Sequence, residues 1–233
     1  SSDLLVALSS LTLDAGPVQA IYEASVSAPH TDTAVQDGWN GWNIGATFIS
    51  PWMNKANAHM GFLIQGIFQH RDFTTSEYQG GMGSGGLENL LVTTTGAELH
   101  LAPWWSFPAN GRFRFSAGPT VYFLLDSYMS GQRVTWDSRP GPFTGLYDME
   151  GSADYLLVNT LAALTTQLHY TVPLGMRLGL DMGIRVSRTF TSILTDVKGV
   201  QAWDIYVSAG LRYAFGPVEV CRLGRLGPPT SRA

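Results

Sequence analysis

The stretch Trp203-Asp204-Ile205-Tyr206-Val207-Ser208-Ala209-Gly210-Leu211-Arg212-Tyr213-Ala214-Phe215 alternates without a break. Its odd positions are large and apolar, or small. Its even positions are Asp204, Tyr206, Ser208, Gly210, Arg212 and Ala214. Successive side chains of a β-strand point to opposite sides, so a period of two held over this length marks a long two-faced strand. The rest of the chain must offer strands for it to pair with.

Composition narrows where such strands can live. Charged residues make up 14% of the 233 residues, with only two lysines, Lys55 and Lys198, against roughly 25% charged in an average soluble domain. A soluble barrel of this length would need more charge to cover its outside. Unbroken apolar runs of about 18 residues, which a transmembrane helix needs, are absent. A tilted strand crosses the same hydrocarbon thickness in about 9–11 residues, and its alternation hides it from average hydropathy. The start at Ser1, without a basic and then apolar leader, reads as a mature chain whose secretion signal has been removed. A net charge of −4 and the lack of a basic cluster with interleaved aromatics argue against a nucleic-acid partner. The lone Cys221 has no internal disulfide partner.

Taken in order, the chain divides into a leader (1–15), a barrel (16–215) and a tail (216–233). In the leader, Leu4, Leu5, Leu8 and Leu11 fall near helical spacing behind a Ser2 or Asp3 cap, which suggests a short amphipathic segment on the periplasmic side. Strands are expected at about 18–28, 42–50, 59–73, 88–102, 112–127, 154–172, 176–190 and 203–215. The connections alternate. Long ones follow the first, third, fifth and seventh strands, including a Gly-rich loop at 78–86 and the longest at 129–153, and short ones follow the second, fourth and sixth. An even strand number with short turns at one end and long loops at the other is the signature of single-chain outer-membrane barrels.

With Tyr213 and Phe215 closing the last strand on one face, its end looks like the terminal β-signal of Gram-negative outer-membrane proteins. The chain as a whole resembles the small eight-stranded OmpA/OmpX-like barrels. The resemblance implies an all-β, antiparallel, up-and-down transmembrane barrel in the bacterial outer membrane. Its surroundings would be outer-membrane lipids and lipopolysaccharide.

Alternation alone leaves open which face points outward, because a soluble barrel also alternates. Aromatics gathered toward strand ends decide it. Trp42, Trp52, Trp104, Trp105, Tyr170, Trp203, Tyr213 and Phe215 are expected at the two membrane interfaces. The polar face then lines a lumen too narrow for an open channel. Glu23, Glu98, Arg112, Arg114, Asp181, Arg185 and Arg212 would share that small space, where unpaired charges cost several kcal/mol each, so an ion-paired network is expected.

Candidate chemistry is sparse. Glu98 with His100, and Gln167 with His169, share inward faces. As active sites they would resemble outer-membrane lipid A deacylases or palmitoyltransferases, whose barrels carry a His with a serine or acidic partner. Both histidines, however, fall toward the periplasmic end. His70, Asp126 and Ser127 lie nearer the outer end. Asp148, Glu150 and Asp154 could hold a divalent cation or simply be solvated, and they lack the spacing of an EF-hand loop. The tail carries Arg222, Arg225, Arg232, Pro228-Pro229 and Cys221, and either it or the leader could contact an envelope protein. No metal or cofactor is implied. The reading that follows is a non-enzymatic barrel with a side-chain-plugged lumen, structural or binding in role. A lipid-modifying enzyme and a small-solute channel are the alternatives.

Overall fold

The structure is a computed structural model that describes residues 9–23, 27–28, 31–36, 38–52, 59–81, 84–107, 112–137, 143–195 and 201–215. Its strands are β1 (Ser10–Glu23), β2 (Ser27–Ala28), β3 (Thr31–Gln36), β4 (Gly38–Pro51), β5 (Met60–Gly81), β6 (Ser84–Ser106), β7 (Phe113–Asp137), β8 (Phe143–Ser152), β9 (Thr160–Pro173), β10 (Leu178–Thr189) and β11 (Gln201–Ala214). Eight of them, β1, β4, β5, β6, β7, β9, β10 and β11, pair antiparallel in that order, and β11 returns to β1, closing the wall. Closure satisfies the backbone without leaving an edge, as hydrocarbon requires.

The faces sort as the alternation demands. In β9 and β10 exposed and buried side chains alternate residue by residue. The exposed set is apolar: Leu13, Ile44, Phe62, Leu99, Phe123, Ile184 and Leu211 all stand outward. Aromatics ring both ends. Near the short connections, Trp52 stacks on Phe62, Trp105 on Phe115, and Phe113 lies 4.7 Å from Tyr170. At the far end Trp42 stacks on His70 at 5.8 Å, and Trp203 lies under the Arg188 guanidinium at 4.9 Å. This is a transmembrane barrel of the outer-membrane type, with the short turns marking the periplasmic edge.

Three local departures from the sequence reading have physical causes. First, the wall begins at Ser10, so residues 10–15 of the expected leader belong to β1. Leu13 and Ala15 point out and Thr12 and Asp14 point in, and pairing to both β11 and β4 outweighs the helical spacing of the leucines. Residues 1–8 and the tail 216–233 lie outside the described residues, as do the side chains of 22–40. Second, the expected loops at 78–86 and 129–153 are largely strand. β5 and β6 continue to the pair Gly81↔Ser84, and β8 pairs with the upper half of β7. With β3 on the other side of β5, these strands raise a sheet above the wall.

Third, β7 carries a bulge. Thr95 pairs with Asp126 and Gly96 with Leu124, leaving Leu125 as an extra residue. Below it the even residues Arg114, Ser116, Thr120 and Tyr122 face in; above it the odd residues Ser127 and Met129 do. Asp126, even-numbered like the inward residues below the bulge, is therefore exposed on the outer face. Gly96 accommodates the kink, since a Cβ there would lie 2.2 Å from the Tyr122 ring.

The outward face predicts its own test. Ile184→Arg should lose about 2–4 kcal/mol of stability in lipid if it lies near the midplane, measured by urea titration of the folded barrel in vesicles. Ser208→Thr on the neighbouring strand should stay within about 0.5 kcal/mol of the parent.

Candidate functional site

Inside the wall, polar side chains meet from every barrel strand. Among the described residues four acids, Asp14, Glu98, Asp181 and Asp204, and four arginines, Arg71, Arg114, Arg185 and Arg212, are each at most 6% exposed. With neutral histidines their formal charges cancel. Burial at this depth is tolerable only with pairing.

Two hubs organise the pairing. In one, Asp181 receives Arg114 Nη2 at 2.8 Å and the Thr171 hydroxyl at 2.6 Å, with His169 Nδ1 3.5 Å away. Arg212 donates to Thr171 at 3.2 Å and to Ser10 at 2.9 Å, tying the last strand to the first. In the other, Glu98 pairs with Arg185 at 2.9 Å, and the Arg185 guanidinium lies 3.6 Å over the Tyr206 ring. The Tyr206 hydroxyl sits 2.6 Å from Glu98 and 2.7 Å from Gln69. It has one proton to give, and the carboxylate is the stronger acceptor. Above these, Arg71 pairs with Asp204 at 2.6 Å and stacks over Tyr122 at 4.7 Å.

Neutral groups fill the gaps. Gln167 donates to Gln65 across the lumen at 2.9 Å and meets His169 Nε2 at 2.9 Å. His100 Nδ1 contacts the Thr120 hydroxyl at 2.9 Å, and Thr120, Thr165 and Ser187 continue the chain at 2.6 and 2.9 Å.

Buried apolar clusters lie toward both ends. At the periplasmic end Ile49, Leu63 and Trp104 are buried together, and Trp104 donates its indole N–H to the Ser50 carbonyl at 3.2 Å. Trp104, expected in the interfacial girdle, is thus a lumen residue. Its even number puts it on the same face of β6 as Glu98 and His100. At the outer end Leu157, Ile193 and Leu194, from the segments around 153–159 and 190–195, pack on Phe73, Val92, Tyr122 and Met129. A backbone bridge joins Leu157 to Leu194. Ser127 donates to Asp154, and this bond together with Ser152 holds the Asp154 carboxyl below the usual carboxylate range.

Of the seven residues expected in the network, Glu98, Arg114, Asp181, Arg185 and Arg212 lie in the lumen, and Glu23's side chain lies outside the described residues. Arg112 sits at the periplasmic rim, with Nη1 3.5 Å from the Tyr170 hydroxyl. The sequence reading did not name Asp14, Arg71, Asp204 or Tyr206 for it. Asp204 and Tyr206 stood on the polar face of the last strand, while Asp14 was hidden inside the supposed leader. The other candidate constellation does not assemble. His70 faces outward and contacts Thr95 at 3.2 Å, Asp126 is outward, and Ser127 points inward to Asp154. Glu150 accepts from Tyr128 and Asp148 from Gln132. No group of three His, Cys, Asp or Glu side chains is placed to hold a metal among the described residues.

No protein-family model and no curated protein matches the chain. Similar solved structures include Neisserial surface protein A (TM-score 0.40, 14% identity, covering 89% of this chain and 97% of that one). Ail of Yersinia pestis (0.37, 11%, 88% and 98%) and OprG of Pseudomonas aeruginosa (0.36, 11%, 90% and 97%) are others. The placement of this wall in a membrane rests on its own faces and girdles.

Two outcomes are expected. Glu98→Ala strands Arg185 in the lumen and should cost about 3–5 kcal/mol, while Glu98→Leu combined with Arg185→Leu should recover most of that loss; urea titrations of the singles and the double decide it, and additive effects would refute the pairing. A carboxyl whose pKa is lowered on folding stabilises above its unfolded value and loses that contribution as pH falls through the folded one. Ser127→Ala should therefore raise the Asp154 titration toward the ordinary value of about 3.9, as followed by carboxyl carbon NMR.

Proposed function

We propose that the chain is a non-conducting, non-enzymatic outer-membrane barrel, a binding or structural component of the envelope that works through the sheet it raises above the outer face. The observation that supports this reading is the lumen, where charge-balanced buried side chains fill the described mid-height and a buried apolar cluster lies toward each end. A lipid-modifying site would need its histidine open to the bilayer, whereas His100 and His169 are locked among Thr120, Gln167 and Asp181 inside the wall.

The raised sheet offers what the lumen lacks. Among the described strands, β8 pairs with β7 alone, which leaves its other edge without a described partner strand. Leu146 and Tyr147 on that strand are 62% and 55% exposed, and Tyr78 lies 5.7 Å from Trp136 on the outer face. Exposed apolar side chains beside such a strand edge suit a macromolecular partner. Lipopolysaccharide surrounds the base of this sheet. An envelope protein reached through the leader or the tail belongs to the same reading, on their composition alone.

Planar-bilayer recordings of the purified barrel should show no sustained conductance; a steady ohmic step at physiological salt would overturn the plugged reading. Lipid A from cells with and without the protein should give identical mass spectra, and an acyl-chain difference would make the chain an enzyme.

A further inference from the structure

The lipid-facing wall is not uniform. On the side formed by β9, β10, β11 and β1 it holds an open groove of about 430 Å³. Ala15, Gly16 and Ala209 form its floor, and Leu168, Met182 and Ile184 are among its walls. The floor is low for a backbone reason. Pairing of β1 with β11 skips Gly16 and Pro17, between Ala15↔Ala209 and Val18↔Tyr206. Pro17 has no N–H to donate, and a Cβ on Gly16 would lie 1.8 Å from the Val207 carbonyl.

The groove has a direction. Its lower end is the Phe113–Tyr170 pair at the periplasmic edge, and its upper end is Pro17, Ile184 and Val207. Pro17 and Val207 stand seven residues above Ser10 and Ala214, where those strands meet the edge. At about 3.4 Å per residue and a tilt near 40° this is roughly 18 Å of height. A single leaflet of a roughly 30 Å core is about 15 Å deep, so the groove is one leaflet tall. Cations mark its polar end: Arg112 reaches the Tyr170 hydroxyl at 3.5 Å, and Arg177 is exposed in the turn joining β9 to β10.

We propose that this groove seats one anionic phospholipid of the periplasmic leaflet, with an acyl chain along Ala15, Ala209 and Met182 and its phosphate at Arg112 beside Tyr170. A guanidinium next to a hydroxyl is a fitting phosphate receiver, and a basic side chain at a membrane surface contributes about 1 kcal/mol toward an anionic headgroup. The proposal rests on the membrane-barrel reading for the placement of the wall in lipid.

Native mass spectrometry of the full chain, exchanged into mixed micelles with equal phosphatidylglycerol and phosphatidylcholine, tests it. The wild type should retain a single phosphatidylglycerol, and Arg112→Gln should lower that preference about fivefold, the equivalent of 1 kcal/mol, without changing phosphatidylcholine retention. Ala209→Trp or Ala15→Phe, which fill the groove from its floor, should abolish retention of both. Equal retention of the two lipids by the wild type, retention that survives both filling variants, or a dimer mass in place of a lipid adduct would each overturn the proposal. The heat-dependent gel shift of every variant reports barrel formation separately, so failure of the barrel reading is distinguished from failure of the lipid seat.

Discussion

Charge compensation among buried side chains in a narrow interior is the constraint on which this barrel depends. Eight strands enclose too little volume to hydrate a set of ions, yet alternation forces polar side chains inward wherever the outer face must be apolar. The described interior resolves the conflict with four acids against four arginines, arranged around Asp181 and Glu98. The pairs join strands distant in sequence: Arg71 of β5 with Asp204 of β11, Arg185 of β10 with Glu98 of β6. A barrel closed with shifted strands would bring different charges together, so the ion pairs also specify the register in which the wall closes.

Much of this was legible in the sequence because a period of two is a strong signal when it runs through eight strands. Alternation separated two faces, the aromatics near the strand ends told which one is outside, and Glu98, Arg114, Asp181, Arg185 and Arg212 followed from parity. What parity could not show was any point where the count slips. Leu125 is one such point. A single extra residue reversed the faces above it, so that Asp126, which parity with Arg114 and Tyr122 would turn inward, lies on the outer surface. The start of β1 was missed for a different reason: leucines at 4, 5, 8 and 11 fit a helical spacing, while the pairing that makes Ser10 to Ala15 a strand comes from β4 and β11, which are distant in sequence. Trp104 was misplaced by residue type outweighing parity, since a tryptophan near a strand end was taken for an interfacial anchor although its neighbours on the same face were Glu98 and His100.

The extracellular side follows from the same rules applied beyond the hydrocarbon. Above the bulge the sheet no longer has to close, so among the described strands β8 pairs on one side with β7, and β3 joins β5 on one side and the short β2 on the other. Glycine-rich sequence at 80–86, which reads as a loop, instead carries the pairing of β5 and β6 on to Gly81↔Ser84. The segments around Leu157 and Ile193 pack against Phe73, Val92, Tyr122 and Met129, so the outer apolar cluster is built partly from connections and not from the wall alone.

The seam between β1 and β11 has a consequence for how the chain assembles. Its side chains join positions as far apart as Ser10 and Arg212, 202 residues along the chain, whereas most other pairings of the wall are between neighbouring strands. Closing so large a loop carries the highest entropy cost of any contact in the wall, and the ladder there gives up pairing at Gly16 and Pro17. The seam is therefore the last stretch of wall to zip, and until Arg212 reaches Ser10 and Thr171 the chain is an open sheet curled around its own ion pairs.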